Sequence, residues 1–180
     1  NKYDKEVYEM FNVAFGHLPI ATVINGAVCV VHGGVDAKVS LADVRTIPRS
    51  EYQTYAGQMG SKPGLVHPAM RDKIAAIRKR AELMHPINAC LWNDPINVPG
   101  EGFNKTRGTG MLFGPDGCKD FLEREGLQLL IRSHEMTPDG YDWPFGDNLL
   151  HGCITVFSAS NYACTATNRG GVVRIGAPGS

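Results

Sequence analysis

Leu18-Pro19-Ile20-Ala21-Thr22-Val23-Ile24-Asn25-Gly26-Ala27-Val28-Cys29-Val30-Val31-His32-Gly33-Gly34 is the stretch that decides how this chain is read. Two β-rich runs, 18–24 and 27–31, flank Asn25-Gly26. An Asn-Gly pair in that setting is the strongest short hairpin signal, because both residues tolerate the positive φ of a tight turn. The second run is apolar and reads as a buried strand that opens into His32-Gly33-Gly34. A second apolar run, 127–131, opens in the same way into Arg132-Ser133-His134-Glu135. Neutral imidazole is the commonest protein ligand for a transition metal. Two strand-end histidines therefore raise the possibility of one shared metal.

Outward from these runs, residues 4–15 carry Val7, Met10, Phe11 and Ala14 at helical spacing, stopped by Gly16. Residues 41–45 read as a short helix or turn. Residues 49–67 are polar and rich in Gly and Pro, which predicts a loop or insertion. Residues 68–84 read as an amphipathic helix with Met70, Ile74, Ile77, Ala81 and Met84 on one face. Its basic side (Arg71, Lys73, Arg78, Lys79, Arg80) is either a solvated face or a docking patch. The stretch 90–95 predicts a short strand running into a turn, and 99–114 is glycine-rich and contains Arg107. Residues 116–125 predict a helix with Asp116 as cap. Residues 153–157 and 172–175 predict two further strands. Strands alternating with loops and helices give an α/β chain, with polar loops at strand ends where binding residues gather.

The bulk numbers fit one soluble domain. The chain has 180 residues, 43% hydrophobic and 20% charged, with a formal net charge of zero. No charge excess argues for nucleic acid, and no apolar run is long enough to span a membrane. The start is polar, without a visible signal peptide or an initiating Met. A partial chain of cytoplasmic or nuclear location is the expectation. Five scattered cysteines, Cys29, Cys90, Cys118, Cys153 and Cys164, form no Cys-x-x-Cys pair, against a disulfide framework or a zinc knot. Cys29, Cys90 and Cys153 read as buried small hydrophobes. His17, His67, His85 and His151 have no supporting motif and read as surface or structural residues.

Singly these segments are weak, but their order is specific: His32-Gly33-Gly34, then Leu91-Trp92-Asn93-Asp94-Pro95, Arg107-Gly108-Thr109-Gly110, Arg132-Ser133-His134-Glu135 and Ser158-Ala159-Ser160-Asn161-Tyr162. The series resembles the catalytic core of the phosphoprotein phosphatase (PPP-type serine/threonine phosphatase) family, over nearly the whole chain. Arg-Ser-His-Glu, Phe113-Gly114-Pro115-Asp116 and the later Asn168-Arg169-Gly170 look most like its EF-hand-containing branch, although no calcium loop of Asp-x-Asp-x-Asp-Gly type occurs.

The resemblance implies a metallophosphoesterase-type β-sandwich flanked by helices, represented by its C-terminal half. Residues 1–180 would be a partial catalytic domain, with 49–90 an insertion that includes the basic helix. It implies hydrolysis of phosphoserine and phosphothreonine in proteins by water activated at a dinuclear metal centre. The metals would be two divalent ions, manganese first and iron or zinc as alternatives. His32 and His134 match two ligands of the same ion. Arg107 matches an arginine that grips the substrate phosphate, and Tyr162 a tyrosine at the rim of the active site. Asp94 and Asn161 would support them from behind. Phosphoproteins would be the substrates, with regulatory subunits or domains as further partners.

The family's Gly-Asp-x-His-Gly, Gly-Asp-x-x-Asp-Arg and Gly-Asn-His-Glu motifs are missing from the chain. They supply the other metal ligands, a second phosphate arginine and the catalytic histidine. Catalytic metal sites usually have at least three protein ligands, so the chain alone is expected to be inactive. One sheet is expected to carry an unpaired edge. Two other readings remain open: a truncated, non-catalytic binding or scaffold module, and a metallophosphoesterase acting on small phosphoesters. Arg107 and the Tyr162 loop favour the protein phosphatase reading over the latter.

Overall fold

The structure, a computed structural model, describes residues 4–49, 71–146 and 152–176, and of 71–78 the backbone alone. The predicted loop at 49–67, the Pro68 helix start, His67, His151 and the basic side chains of Arg71, Lys73 and Arg78 lie wholly or largely outside the described residues.

The hairpin forms as its turn chemistry demands. Strand β1 (Ala21–Ile24) pairs antiparallel with β2 (Val28–Val31), in the register Val23↔Cys29. Asn25 and Gly26 sit at φ 51° and 66°, the left-handed pair of a type I′ turn. β2 then pairs in parallel with β6 (Leu129–Arg132), and β6 in parallel with β8 (Cys153–Val156). A short antiparallel strand, β7 (Tyr141–Asp142), closes the far side. Among the described residues the sheet order is β1-β2-β6-β8-β7. Parallel central strands must be covered on both faces; hence the apolar runs of β2, β6 and β8. Because β2 and β6 are parallel neighbours, the segments that follow them leave the sheet at the same edge.

A second sheet has the order β3-β5-β4, from β3 (Asp94–Pro95), β4 (Glu101–Phe103) and β5 (Met111–Phe113). The core joins the two sheets: Cys29, Val31, Leu130 and Cys153 share one apolar cluster with Phe113, Phe121 and Phe145. Phe113 meets Phe145 edge to face at 5.9 Å. Burial pushes the Cys29 thiol up to about 12, with the charges of Glu125 and Cys118 adding to it, which makes it a packing residue rather than a nucleophile.

Helix α1 (Lys5–Phe15) is capped by Asp4, whose Oδ1 accepts the Val7 N–H at 2.9 Å. α2 (Leu41–Thr46) is capped by Ser40. α3 (Arg71–Trp92) corrects two expectations. The predicted helix end near residue 84 and the predicted strand at 90–95 are replaced by one helix that runs through Pro86 to Trp92, with the strand reduced to Asp94–Pro95. A proline usually marks a helix boundary, and a short buried apolar run has no period that separates strand from helix. Ile87, Ala89 and Cys90 are fully buried, so the stretch of α3 beyond Pro86 packs into the core. The N–H groups of Gly33 and Gly34 cap it, donating to the carbonyls of Cys90 (2.6 Å) and Ala89 (3.2 Å). A Cβ on Gly33 would lie 2.5 Å from the Leu91 carbonyl carbon, which is why this loop needs glycine. Beside it, His85 Nε2 of α3 lies 2.9 Å from the buried Asp36 carboxylate.

α4 (Pro115–Glu125) forms where expected, but its cap is Gly114 and not Asp116. Pro115 takes the first helical position, and the Asp116 carboxylate instead accepts the Gly100 N–H (2.9 and 3.0 Å), tying the helix start to β4. The predicted strand at 172–175 is absent: these residues are coil, and Val172 is 91% exposed. Its β-branched run finds no ladder partner among the described residues, and β propensity without a partner makes no strand.

Candidate functional site

His32 follows β2, and His134 follows β6 by two residues. The Ser133 N–H donates to the His32 carbonyl at 3.0 Å, continuing the strand pairing into both loops. The rings come to 4.9 Å between centroids, tilted by 54°. His134 sits at φ 67°, a left-handed conformation that non-glycine residues rarely adopt and that clusters at functional sites. Its ring meets Trp92 edge-on at 5.5 Å.

Behind the histidines stands Asp94, almost fully buried. His134 Nδ1 is 3.0 Å from its Oδ1. Arg132 Nη2 donates to the same oxygen at 2.7 Å, Asn104 Nδ2 to Oδ2 at 2.8 Å, and Arg107 Nε also to Oδ2. Burial works to raise the Asp94 carboxyl's pKa. The hydrogen bonds from His134 and Arg107, with the Arg132 charge, outweigh it and hold the group well below the usual carboxylate range. An ionised carboxylate only accepts, so Asp94 gathers donors around it.

Arg107 is held at three points. Besides Asp94, its Nη2 donates to the His134 carbonyl at 3.0 Å, and its backbone N–H to Asn104 Oδ1 at 3.1 Å. It lines a cavity of about 500 Å³ together with Trp92, Asn104, Thr106, Leu112 and Glu135. A fixed guanidinium on a cavity of this size suits a phosphoester oxygen cluster. Burial, then the charges of His134, Arg132 and Arg107, lower the pKa of His32, which favours the neutral imidazole.

Tyr162 and Asn161 occupy a different loop. A 3₁₀ turn, Tyr162–Cys164, follows β8, and the Tyr162 ring packs edge to face on Phe157 at 5.1 Å. Asn168 organises this loop: its Oδ1 accepts the Tyr162 N–H (2.9 Å), its Nδ2 donates to the Ala159 and Arg169 carbonyls, and its carbonyl accepts the Asn161 N–H (3.0 Å). Asn161 itself is exposed at φ 49°. The structure thus gathers His32, His134, Asp94 and Arg107 into one cluster, while Tyr162 and Asn161 bond to Asn168.

Sequence reasoning gave no role to Arg132, Asn104, Trp92 or Asn168. For Arg132 there was a signal, a cation closing the apolar run Leu129-Leu130-Ile131. Asn104 and Asn168 carry none, since their partners are distant in sequence or are backbone groups.

Two imidazoles whose rings lie 4.9 Å apart are donors of the kind that a divalent transition metal takes. Among the described residues no group of three or more His, Cys, Asp or Glu side chains is placed to hold a metal. Nor is any described helix long and apolar enough to cross a membrane.

Known proteins share this arrangement of segments. Serine/threonine-protein phosphatase T of Aspergillus oryzae is 36% identical over 177 residues, covering 97% of this chain and 30% of its own length. Serine/threonine-protein phosphatase 5 of Homo sapiens is 33% identical over 176 residues, covering 97% of this chain and 29% of its own. The chain therefore spans less than a third of these curated relatives. A solved protein serine/threonine phosphatase from Saccharomyces cerevisiae, with similarity to human phosphatase PP5, matches at a TM-score of 0.63 and 30% identity over 93% of this chain and 42% of its own. The calcineurin-like phosphoesterase model matches residues 1–138, a span that holds the hairpin, both histidines, Asp94 and Arg107, and the mixed α/β fold agrees with it. By that match the chain belongs to the calcineurin-like phosphoesterase family.

Proposed function

We propose that this chain supplies part of the active centre of a metal-dependent protein serine/threonine phosphatase. His32 and His134 hold one divalent ion, Arg107 grips the phosphate, Tyr162 flanks the substrate, and Asp94 and Asn161 support them. The observation that carries the reading is the 4.9 Å approach of the two imidazoles beside an arginine anchored to the carboxylate that also backs His134. When bound, such ions lower the pKa of water and neutralise charge on the transferring phosphoryl group. This chain's own share is binding and orientation. Asp94 holds the His134 ring and the Arg107 guanidinium in place, and Arg107 presents its remaining N–H groups to a phosphate in a fixed plane. The Tyr162 hydroxyl offers a further hydrogen bond and its ring an apolar face to a peptide.

Phosphoserine and phosphothreonine proteins are the substrates under this reading, since the relatives are named for that activity. Manganese is the ion to try first, with iron and zinc equally compatible with imidazole. Regulatory subunits or domains would dock elsewhere, and we assign residues 49–90 as an insertion with a basic helix.

Two imidazoles fall short of the three protein ligands usual at catalytic sites, so the 180-residue chain alone is inactive under this reading. Purified chain with excess manganese should give no turnover of an aryl phosphate above background. Robust turnover that disappears in His134→Ala would overturn that claim. The activity itself is tested in a chimera that joins the preceding catalytic segment of the Aspergillus oryzae phosphatase to this chain. It should hydrolyse a phosphothreonine peptide with manganese and lose about 10²-fold or more in Arg107→Ala. A folded but inert chimera favours the scaffold reading, and one that cleaves only small phosphoesters favours the small-substrate reading.

A further inference from the structure

Asn104 is only 2% exposed, yet both its backbone and its side chain are engaged around Arg107. Its N–H donates to the Gly110 carbonyl (3.1 Å) and its carbonyl accepts the Gly108 N–H (2.9 Å), which closes the turn that carries Arg107. The side chain bonds on both sides of that arginine: Oδ1 accepts the Arg107 N–H at 3.1 Å, and Nδ2 donates to Asp94 Oδ2 at 2.8 Å. The two ends of the amide are not interchangeable. A backbone N–H only donates and a carboxylate only accepts, so the oxygen must face Arg107 and the nitrogen Asp94. Asp94 Oδ2 is also the oxygen that takes Arg107 Nε. One buried amide thus ties the main chain of Arg107 to the carboxylate that holds its guanidinium. Burying an amide costs stability unless it is bonded, and the turn is already closed through backbone groups. What the side chain adds is a fixed relation between Arg107 and Asp94.

We propose that Asn104 is a positioning residue for Arg107. It sets the guanidinium against Asp94, with Nη2 on the His134 carbonyl, so that the remaining N–H groups face the cavity of about 500 Å³. Without Asn104 the same arginine keeps its charge but loses its direction, and a planar fork grips phosphate oxygens in a bidentate way only when it is aimed at them. The phosphate part of this inference rests on the function proposed above; the positioning part stands without it.

The test uses the ¹⁵N-labelled 180-residue chain with inorganic phosphate as the only added ligand. In the parent the Arg107 Nε–H signal should exchange slowly with water and shift as phosphate is added. Asn104→Ala should speed that exchange about ten-fold and weaken phosphate binding about ten-fold, the scale of a lost hydrogen bond to a charged group. Asn104→Leu keeps the volume without a polar atom and should match Asn104→Ala, whereas a residue that only fills space would be replaced by leucine without effect. The Nε–H of Arg132, which donates to the Gly33 carbonyl, should exchange as in the parent in both variants. Equal quickening there would mean general loosening and would overturn the proposal. Parental exchange at Arg107, or parental phosphate affinity, in either folded variant overturns it as well. So does failure of both variants to fold, which makes the residue purely structural. If the parent binds no phosphate while Arg107 exchange still quickens in both variants, the phosphate reading of Arg107 fails and the positioning role stands.

Discussion

Asp94 faces four side chains at once: Arg132, Arg107, Asn104 and the His134 ring. Replacing it with asparagine keeps the shape and one acceptor oxygen but leaves the buried Arg132 opposed only by Glu135, which is partly exposed. Removing one partner of a buried ion pair costs about 3–5 kcal/mol. With Glu135 retained, Asp94→Asn should cost about 3 kcal/mol, read as a lower urea midpoint at unchanged slope. A variant as stable as the parent would remove Asp94 from the centre of this network. The resemblance implied a supporting role for the residue, but not the partners through which it acts. Its four partners come from positions 104, 107, 132 and 134, and no local pattern in the chain brings those numbers together. Asn168 is a parallel case: Asn168→Ala removes three side-chain hydrogen bonds beneath Tyr162. It should speed hydrogen exchange at the Tyr162 amide about ten-fold, while protection in β6 stays as it was.

Between elements, α3 meets the loop after β2 through His85 and Asp36. The Asp36 carboxylate 2.9 Å away, opposed by burial, raises the pKa of His85. Burial opposes the fall at Asp36, but the nearby His85 ring wins and lowers it. A raised histidine contributes fully below its unfolded pKa, about 6.5, and loses that contribution as pH rises through the folded value. A lowered carboxyl contributes above about 3.9 and loses it as pH falls through its own folded value. The pair is therefore strongest between these limits. His85→Gln should lower the melting temperature more at pH 6 than at pH 8.5; an equal loss at both would show that the ion pair contributes nothing. The elements legible from sequence were those set by local chemistry: the Asn25-Gly26 hairpin, the helix over 4–15 with the Gly16 stop, and the buried strands that end in histidine. Those set by tertiary contact were misread. α3 passes through Pro86 because Ile87, Ala89 and Cys90 beyond it are buried and its end is capped by the Gly33-Gly34 loop, and residues 172–175 stay coil because no described strand pairs with them.

Across the whole molecule, apolar surface is distributed unevenly. α1 buries none of its residues, and Tyr8, Met10, Phe11, Val13 and Phe15 are all exposed, with Leu18 continuing the patch towards the sheet. Next to it in the chain, β1 is an outer strand whose far edge has no pairing partner among the described residues. An exposed apolar patch beside an open strand edge is the combination that drives association. The isolated chain should therefore bind an apolar dye and sediment as larger species as its concentration rises from about 1 to 100 μM, a range in which exposed edges and patches aggregate. Phe11→Ser with Phe15→Ser, which removes the paired rings 6.0 Å apart on α1, should shift this association to higher concentration. The double change should leave the His134 ring signals untouched, since the patch shares no contact with the Asp94 network. A monomer that melts sharply, reversibly and independently of concentration, without dye binding, would mean that the α1 face is tolerated in water as it stands. The unevenness would then carry no consequence for assembly.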